Sequence, residues 1–418
     1  YNGPTTNRIW YDPKFDTDEN YVHTLSVRKE LNEAELDAIL SQAHGTETGS
    51  YIYAKDLHHT VAYFDGFGRA KQTIAVNAAP NGDDVVKISK YDAIGREAKQ
   101  YLPFNAFNNK GKIVDADIEE QKSFFSNLFP TDVMADGVYA ETVFENSPLS
   151  KVYEQGAPGI NWQIDKDVDG NSTEMGHTIK TYYYTNGANE VNYYTTSNTL
   201  YGILQSGSYD ANELIVTEVL SENFDASDPD FKGHIIREYK DKQGRVVLKE
   251  SQNTDGSWLK TFYVYDDHGR LRSVIPPLAQ GDASDTNLCY YYNYDARNRM
   301  VEKKLPGAQV VYMVYDIRDR LRATQDGNMR REGYWLITKY DALNRPIMTI
   351  KHPSSLSREE MNTSINATYL NEAYVPQFSG NVHGYTDGSY PGTNENDVLT
   401  VTYYDNYNVI TDVGRTDL

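Results

Sequence analysis

The stretch Tyr265-Asp266-Asp267-His268-Gly269-Arg270 decides the fold of this chain. It is one copy of a short motif, called here the Tyr-Asp motif, which opens with tyrosine, continues with aspartate and closes with arginine. The other copies are Tyr63-Phe64-Asp65-Gly66-Phe67-Gly68-Arg69, Tyr91-Asp92-Ala93-Ile94-Gly95-Arg96, Tyr239-Lys240-Asp241-Lys242-Gln243-Gly244-Arg245, Tyr294-Asp295-Ala296-Arg297-Asn298-Arg299, Tyr315-Asp316-Ile317-Arg318-Asp319-Arg320 and Tyr340-Asp341-Ala342-Leu343-Asn344-Arg345. Repetition at such short steps indicates a stack of similar supersecondary units.

The residue before the arginine is Gly, Asn or Asp in every copy of the motif. These residue types tolerate positive φ best, so each copy predicts a tight turn that contains a bulge and joins two strands. The aspartate is expected to accept turn N–H groups, and the arginine to reach an aspartate of its own or a neighbouring repeat. The tyrosine is expected to stack on the tyrosine of the next hairpin.

Proline follows the arginine at a short distance in four repeats, as Leu102-Pro103, Ile275-Pro276, Leu305-Pro306 and His352-Pro353. Proline cannot donate a ladder hydrogen bond, so it predicts the end of the outgoing strand. Each repeat therefore predicts a strand, a Tyr-Asp turn, a second strand and a proline turn. The expected fold is mainly β: a coiled antiparallel β-hairpin repeat sheet with a few short helices in insertions.

The motif divides the chain into segments that are expected to form one continuous β body. These are a mixed N-terminal segment (1–50), the first Tyr-Asp repeats (51–103), an insertion (104–235), the main repeat array (236–350), a loop and helix insertion (351–397) and the start of a further repeat (398–418). Because the chain starts at Tyr1 without a signal-peptide pattern and stops inside a repeat, it is expected to be a fragment or a mature piece.

Capping-box spacings predict short helices in the non-repeat segments. One is expected near 33–43, behind Asn32 and Glu35, and another starts at Ser357-Arg358-Glu359-Glu360. Apolar spacing predicts a third helix near 117–128. Asn186-Gly187 lies between the runs 178–185 and 191–195, which are rich in aromatic and β-branched residues, and this pattern predicts a β-hairpin.

Composition narrows the classes of function. Among 418 residues, 60 are acidic and 40 basic, a formal charge of −20, and this balance disfavours binding to nucleic acid. No apolar run approaches the roughly 18 residues of a membrane helix, so no direct membrane insertion is expected. The single cysteine, Cys289, excludes an intrachain disulfide and is expected to be buried as a small apolar residue.

The chain resembles the RHS/YD-repeat proteins, whose repeats carry Tyr-Asp-x-x-Gly-Arg. It is similar in particular to the N-terminal part of the secreted RHS-repeat (RHS core-associated) proteins of Bacteroidetes. The stretches that carry the resemblance are Tyr263 to Pro277, Lys303-Lys304-Leu305-Pro306-Gly307-Ala308 and Thr338 to Ile347. The resemblance is close over 51–103 and 236–350 and looser elsewhere.

The resemblance implies a coiled sheet that forms part of a shell or cocoon, and in toxins of this family the shell encloses a toxic C-terminal domain. It also implies a secreted or cell-surface protein of a Gram-negative bacterium that is a substrate of the type IX secretion system. The implied partners are the remainder of its own shell, the secretion machinery and other surface proteins. Asp12-Pro13-Lys14 and Asp228-Pro229-Asp230 lack the Gly-Leu of the family's self-cleaving segment, so self-cleavage is not expected.

One stretch points to a metal. Asp165-Lys166-Asp167-Val168-Asp169-Gly170-Asn171 matches the start of an EF-hand loop, with candidate calcium ligands Asp165, Asp167, Asp169 and Glu174. The twelfth position is Gly176 instead of Glu, and no helix pair flanks the loop, so a plain Asp/Gly turn is the competing interpretation. His58-His59 is a weak metal pair, because adjacent strand residues point to opposite faces.

No catalytic motif or cofactor site is present in the sequence, so we expect that the chain is not an enzyme and binds no cofactor. The aspartates and arginines of the repeats are expected to be structural, since active sites are few in a protein whereas this motif recurs. Two hypotheses follow. The first is a structural or interaction protein of an RHS shell that serves encapsulation, adhesion or bacterial competition. The alternative is a carbohydrate-binding surface adhesin that uses aromatic faces of the sheet, such as the Tyr182–Tyr184 cluster or Trp258.

Overall fold

The computed structural model describes residues 19–27, 57–107, 109–132, 137–168, 170–173, 176–224, 234–367, 371–374 and 382–404. The chain divides into two compact units. The first comprises 1–182, 218–235 and 254–256, and the second 183–217, 236–253 and 257–418. The helix predicted near 33–43 lies outside the described residues. No helix in the described part is both long and apolar enough to cross a membrane.

The first unit is built from short antiparallel strands. They are β1 (Asn20–Val27), β2 (Leu57–Phe64), β3 (Ala70–Ala75), β4 (Asp84–Lys90), β5 (Lys99–Tyr101), β6 (Phe104–Ala106), β7 (Tyr139–Phe144), β8 (Val152–Gly156) and the start of β9 (Ile179–Thr185). Strands β1 to β4 pair in chain order, β4 then pairs with both β5 and β6, and β5 continues through β7 and β8 to β9.

The second unit is dominated by an antiparallel meander. Its strands are the end of β9, β10 (Asn192–Thr196), β11 (Ile203–Ser208), the start of β12 (Ile215–Leu220), β13 (Ile235–Lys240), β14 (Val246–Gln252), β15 (Trp258–Tyr265), β16 (Leu271–Ile275), β17 (Tyr290–Tyr294), β18 (Met300–Lys304), β19 (Val311–Tyr315), β20 (Leu321–Gln325), β21 (Tyr334–Tyr340), β22 (Pro346–Pro353) and β23 (Val398–Val401). From β13 to β23 each strand pairs with the next one along the chain. Within the described residues of this unit, β10 and β11 form a separate antiparallel pair. The predicted mainly β, antiparallel fold is confirmed.

Alternation along the strands places the buried side chains, most of them apolar, on one face. In β21, for example, Trp335, Ile337 and Lys339 are buried while the residues between them are half-buried. The core of the first unit includes Val61, Tyr63, Ile74, Val86, Ile88, Phe104 and Tyr139. The second unit has two clusters, one around Tyr239, Leu248, Phe262 and Tyr291, and one around Val314, Trp335, Ile350 and Met361.

Two of the predicted helices are confirmed. Helix α1 (Asp117–Leu128) buries Gln121 and Phe125. Helix α3 (Arg358–Ala367) begins at the predicted capping box, where the Ser357 N–H donates to Glu360 Oε2 (2.8 Å) and the Glu360 N–H donates to Ser357 Oγ (3.3 Å). The short helix α2 (Gly327–Glu332) was not expected; the Asp326 side chain caps its start. The predicted strand ends at proline are confirmed, since β16 ends at Ile275 and β18 at Lys304.

The hairpin predicted at Asn186-Gly187 is wrong. Strand β10 pairs with β11 and not with β9, the strand that precedes Asn186. The Asn186 side chain is engaged elsewhere, since its Oδ1 accepts from Leu214 N (2.7 Å) and its Nδ2 donates to Asp210 O (2.8 Å). These contacts to the segment before β12 bury Asn186 and satisfy it there, and they outweigh the local preference of Asn-Gly for a two-residue turn.

Candidate functional site

The Tyr-Asp motif forms the same turn in all seven copies. The residue before the arginine has positive φ in each one: Gly68 (77°), Gly95 (90°), Gly244 (79°), Gly269 (76°), Asn298 (61°), Asp319 (63°) and Asn344 (65°). In the turn at Asp266, the Asp266 N–H donates to Arg270 O (3.0 Å) and the Gly269 N–H to Asp266 O (2.8 Å). The strand register shifts between Val264 and Tyr265, as a bulge requires. The predicted turn is confirmed.

The aspartate organises each turn. Asp266 Oδ1 accepts from the N–H groups of His268 (3.0 Å) and Arg270 (3.0 Å), while Oδ2 accepts from Arg270 Nε (2.8 Å). The same three bonds occur at Asp65, Asp92, Asp241, Asp295, Asp316 and Asp341. Burial alone would raise the pKa of Asp266, but hydrogen bonds from the backbone and side chain of Arg270 outweigh it and hold the pKa below its ordinary value.

The arginine also reaches forward to the next turn. Arg270 Nη1 donates to Asp295 O (3.2 Å) and Asn298 Oδ1 (3.0 Å), and its guanidinium carbon lies 5.2 Å from the centre of the Tyr294 ring. The Tyr294 hydroxyl in turn donates to Leu271 O (3.0 Å). The tyrosine ring therefore stacks on the arginine of the preceding turn, whereas sequence reasoning had paired it with another tyrosine.

These contacts repeat along the second unit. In what we call the arginine ladder, Arg245, Arg270, Arg299, Arg320 and Arg345 lie over Tyr265, Tyr294, Tyr315, Tyr340 and Tyr404, at 4.4–5.2 Å from each ring centre. In the first unit Arg69 lies over Tyr91 and Arg96 over Phe144.

The ladder gives the Asn and Asp residues of the motif a second role, and it restricts the space at one of the glycines. Where the left-handed residue is Asn298, Asp319 or Asn344, its side-chain oxygen accepts from the preceding ladder arginine at 2.8–3.3 Å. Where it is Gly95, a Cβ would lie only 3.0 Å from Arg69 Nη1. Positive φ is common to all seven copies, whereas a side-chain contact with the preceding arginine is made only where the residue is Asn or Asp.

One turn of this kind escaped the sequence analysis. Between β7 and β8, the Glu145 N–H donates to Lys151 O (2.8 Å) and Ser150 has positive φ (51°). Arg96 Nη1 donates to Glu145 O (2.9 Å), the counterpart of the contact from Arg270 to Asp295. Phe, Glu and Lys replace the Tyr, Asp and Arg of the motif, so only the aromatic-acidic pair Phe144-Glu145 was left as a signal in the sequence.

The candidate calcium loop contains a similar turn. The Asp167 N–H donates to Asn171 O (2.9 Å), the Asn171 N–H donates to Asp167 Oδ1 (2.9 Å), and Gly170 has positive φ (82°). Asp165 Oδ2 accepts from Thr173 Oγ1 (3.0 Å), and the other two candidate ligands, Asp169 and Glu174, lie outside the described residues. No group of three or more potential metal ligands occurs within the described residues. Calcium binding at this loop stays a prediction.

The remaining candidates take up packing positions. Cys289 is fully buried, as expected, and burial raises the pKa of its thiol. The His59 ring lies 4.3 Å from that of His23, so the structure pairs it with a residue of the neighbouring strand. The guanidinium carbon of Arg237 lies 4.1 Å from the centre of the Trp258 ring.

Two buried arginines hold inserted segments, a role that sequence reasoning missed. Arg272 and Arg322 each lie two residues after a ladder arginine, and each is 2% exposed. Arg272 donates to the carbonyls of Ser197 (2.9 Å) and Thr199 (2.8 Å), in the β10–β11 loop. Arg322 donates to Thr338 O (2.8 Å) and Tyr390 O (2.8 Å). Their only sequence signal was the Arg-Leu-Arg triplet that these two repeats share.

Comparison with known proteins gives a partial match. The family described as a domain of unknown function (DUF6443) matches residues 39–179. No curated protein matches the sequence.

Three solved structures resemble the chain. A crystal structure titled TcdB2-TccC3-TEV has a TM-score of 0.47 at 15% identity, and one titled TcdB2-TccC3-Cdc42 has 0.45 at 14%. A Photorhabdus luminescens Tc holotoxin pore with a mutation in TccC3 has 0.43 at 14%. In each case 81% of this chain is covered but only 14% of the other, so the chain spans a small part of these proteins.

Proposed function

We propose that this chain is a non-enzymatic structural segment of the wall of an RHS/YD-repeat shell. The observation that carries the proposal is the arginine ladder, in which the arginine of each turn lies over the next tyrosine of the ladder. Such a ladder adds contacts at the turns to the strand pairing that already joins each hairpin to the next.

The chemistry of the repeats supports a structural role over catalysis. Each motif aspartate already accepts three hydrogen bonds from its own turn, as at Asp266. A carboxylate bound in this way has a lowered pKa and is a poor general base at neutral pH. Hydrogen bonds from their own turns likewise outweigh burial and lower the pKa of Asp65, Asp92, Asp295 and Asp341.

Imaging of the full-length gene product tests the proposal. Electron cryomicroscopy is expected to show this chain as part of a wall around an enclosed cavity. In the variant Arg270→Ala, the density of the wall should be weaker around this turn. The matched control Arg331→Ala, which removes an exposed arginine from α2, should leave the density unchanged. An open sheet with no cavity would refute the shell.

Location and biological role extend the proposal. We infer export to the surface or medium of a Gram-negative bacterium, by type IX secretion, for encapsulation, adhesion or competition; the support is the sequence resemblance to exported Bacteroidetes proteins. Fractionation of cells with and without a functional type IX system tests the route, and retention of the protein only in the defective cells is expected. On a glycan array, saturable binding that is lost in Trp258→Ala would favour the adhesin instead.

A further inference from the structure

A buried lysine lies against two carboxylates in the second unit. The Lys339 side chain, on β21, is fully buried (0% exposed). Its Nζ lies 2.5 Å from Asp387 Oδ1, 3.3 Å from Glu372 Oε1 and 2.9 Å from Ser389 O. The repeat turns and the ladder make no use of these three charged groups.

The two carboxylates are held firmly in place. Glu372 is 1% exposed and accepts from Ser389 N (2.8 Å), Gly388 N (3.0 Å) and Thr386 Oγ1 (2.7 Å). Asp387 Oδ2 accepts from Thr393 N (2.7 Å), and its Oδ1 from Thr393 Oγ1 (2.6 Å). The amine and the Asp387 carboxyl group are therefore fixed against each other with little freedom to separate.

This arrangement suits covalent condensation. Because Oδ1 is bonded to Cγ, the contact with Nζ brings the amine close to the separation of about 3–3.5 Å that marks a near-attack geometry. The Lys339 side chain is fully buried whereas the Asp387 side chain is 30% exposed, so the cost of desolvation falls on the ammonium group. Proton transfer from the ammonium to the carboxylate gives a neutral amine and a neutral acid with the same number of protons. We infer that Lys339 and Asp387 join through an isopeptide bond, with Glu372 as the proton carrier.

The step balances without an external reagent. The neutral Nζ attacks Cγ of protonated Asp387, the N–C bond forms, and the developing oxyanion is stabilised by the Thr393 N–H at Oδ2. Once the N–C bond has formed, Nζ carries a positive charge and is strongly acidic, so Glu372 can accept its proton although its own pKa is low: burial alone would raise the Glu372 pKa, but the hydrogen bond from Ser389 and the charge of Lys339 outweigh it. Glu372 returns the proton to the hydroxyl group at the Oδ1 position, which leaves as water when the C–O bond breaks. The products are one amide and one water molecule, and Glu372 is regenerated.

The protonation state of the Lys339–Asp387 pair limits the rate of the reaction, because only the neutral pair reacts. Burial alone would raise the pKa of Asp387, but the hydrogen bond from Lys339 outweighs it, so the pKa lies below its ordinary value. The neutral pair is then a minor species, and the bond is expected to accumulate after folding.

Intact mass spectrometry of the folded 418-residue chain, denatured after prolonged incubation, tests the inference. The wild type is expected to be lighter than its sequence by one water molecule and to yield a branched tryptic peptide that joins Lys339 to Asp387. Asp387→Ala should have its full sequence mass, and Glu372→Gln should form the bond more slowly or not at all. Lys351→Ala, at a half-exposed ion pair, is the matched control and should still lose water.

Two results would overturn the inference. One is a folded wild-type chain that keeps its full sequence mass, which would leave an ordinary ion pair between Lys339 and Asp387. The other is a water loss that persists in Asp387→Ala, which would place the modification elsewhere. The wild-type measurement needs no variant to fold, and it does not depend on the proposed shell.

Discussion

Single residues of the Tyr-Asp turn are constrained by backbone geometry more than by space. At Gly269 the nearest atom to an added Cβ would be Arg245 Nη1 at 3.6 Å, an ordinary contact. Its φ of 76°, however, is one that β-branched side chains avoid. Asn298 and Asn344 show that asparagine is accepted at the same position.

Gly269→Val is therefore expected to lower the free energy of unfolding by about 1–3 kcal/mol, and Gly269→Asn by much less, because Asn adopts positive φ more readily. Urea denaturation of the two variants beside the wild type measures the difference. Equal midpoints for Gly269→Val and the wild type would contradict the turn geometry.

The turn aspartates make stability depend on pH. The pKa of Asp65 is lowered mainly by the backbone N–H of Arg69, and that of Asp92 by the backbone N–H of Arg96. A carboxyl group whose pKa is lower in the folded state stabilises the fold above its unfolded value, here 3.8. That contribution is lost as the pH falls through the folded pKa.

Asp266→Asn should consequently be less stable than the wild type at neutral pH, and the gap should narrow as the pH falls below 3.8. Thermal melting of both proteins across this range is the measurement. A gap that stays constant down to low pH would show that the Asp266 charge contributes nothing.

At the scale of the elements, the ladder arginines connect each Tyr-Asp turn to the next one, in addition to the pairing of the strands. Arg270 lies between its own Asp266 and the Tyr294 ring of the next turn, with 20% of its side chain exposed. Partial burial strengthens both the ion pair and the contact with the ring relative to an exposed site.

A double-mutant cycle on Arg270→Ala and Tyr294→Leu should give a coupling energy of about 0.5–2 kcal/mol, since the guanidinium lies over the ring. The matched cycle of Arg270→Ala with Tyr340→Leu, whose ring lies under Arg320, should give none. Chemical denaturation of the single and double variants provides the four values. A coupling of zero in the first cycle would reduce the ladder to simple strand pairing.

Arg322 is expected to hold the segment around Tyr390. Arg322→Met keeps an apolar stem but leaves Thr338 O and Tyr390 O without this charged donor, a loss of about 1–3 kcal/mol for each of these half-buried hydrogen bonds. Limited proteolysis should then cut residues 382–391 sooner than in the wild type. Arg331→Met is the control and should not change the cleavage rate; equal rates for both variants would argue against the docking role.

Sequence reasoning worked where the decisive contacts are local. The turn at Gly269 and the capping box at Ser357 depend on residues within one turn of chain, and both were predicted. The hairpin prediction at Asn186-Gly187 failed because the Asn186 side chain bonds to Asp210 and Leu214, more than 20 residues further along the chain. Arg272 could not be assigned a role either, since it binds carbonyls more than 70 residues away.

Over the whole molecule, the meander from β13 to β23 makes each strand depend on its two neighbours. Stability in such an array is close to a sum of nearest-neighbour contributions, so damage to one turn should spread only a short way. The formal charge of −20 favours solubility, but repulsion among the excess acidic side chains lowers the stability of the folded state. Added salt would screen this repulsion.

Hydrogen exchange can measure how far damage spreads. In Gly269→Val, the amides of β15 and β16 and of their neighbours β14 and β17 should exchange faster, because they share the weakened turn and its ladder contacts. The amides of β21 and β22 should keep the wild-type rate. Faster exchange everywhere would show that the meander unfolds as one cooperative block.

The arginine ladder also has a direction, and this bears on how the chain is made. Each ladder arginine binds the turn that comes after it in the sequence, as Arg270 binds Asp295 and Tyr294. The ladder arginines at 245, 270, 299, 320 and 345 lie 25, 29, 21 and 25 residues apart. During translation a turn is thus left unfinished until the next repeat leaves the ribosome, so each newly emerged repeat completes the one before it.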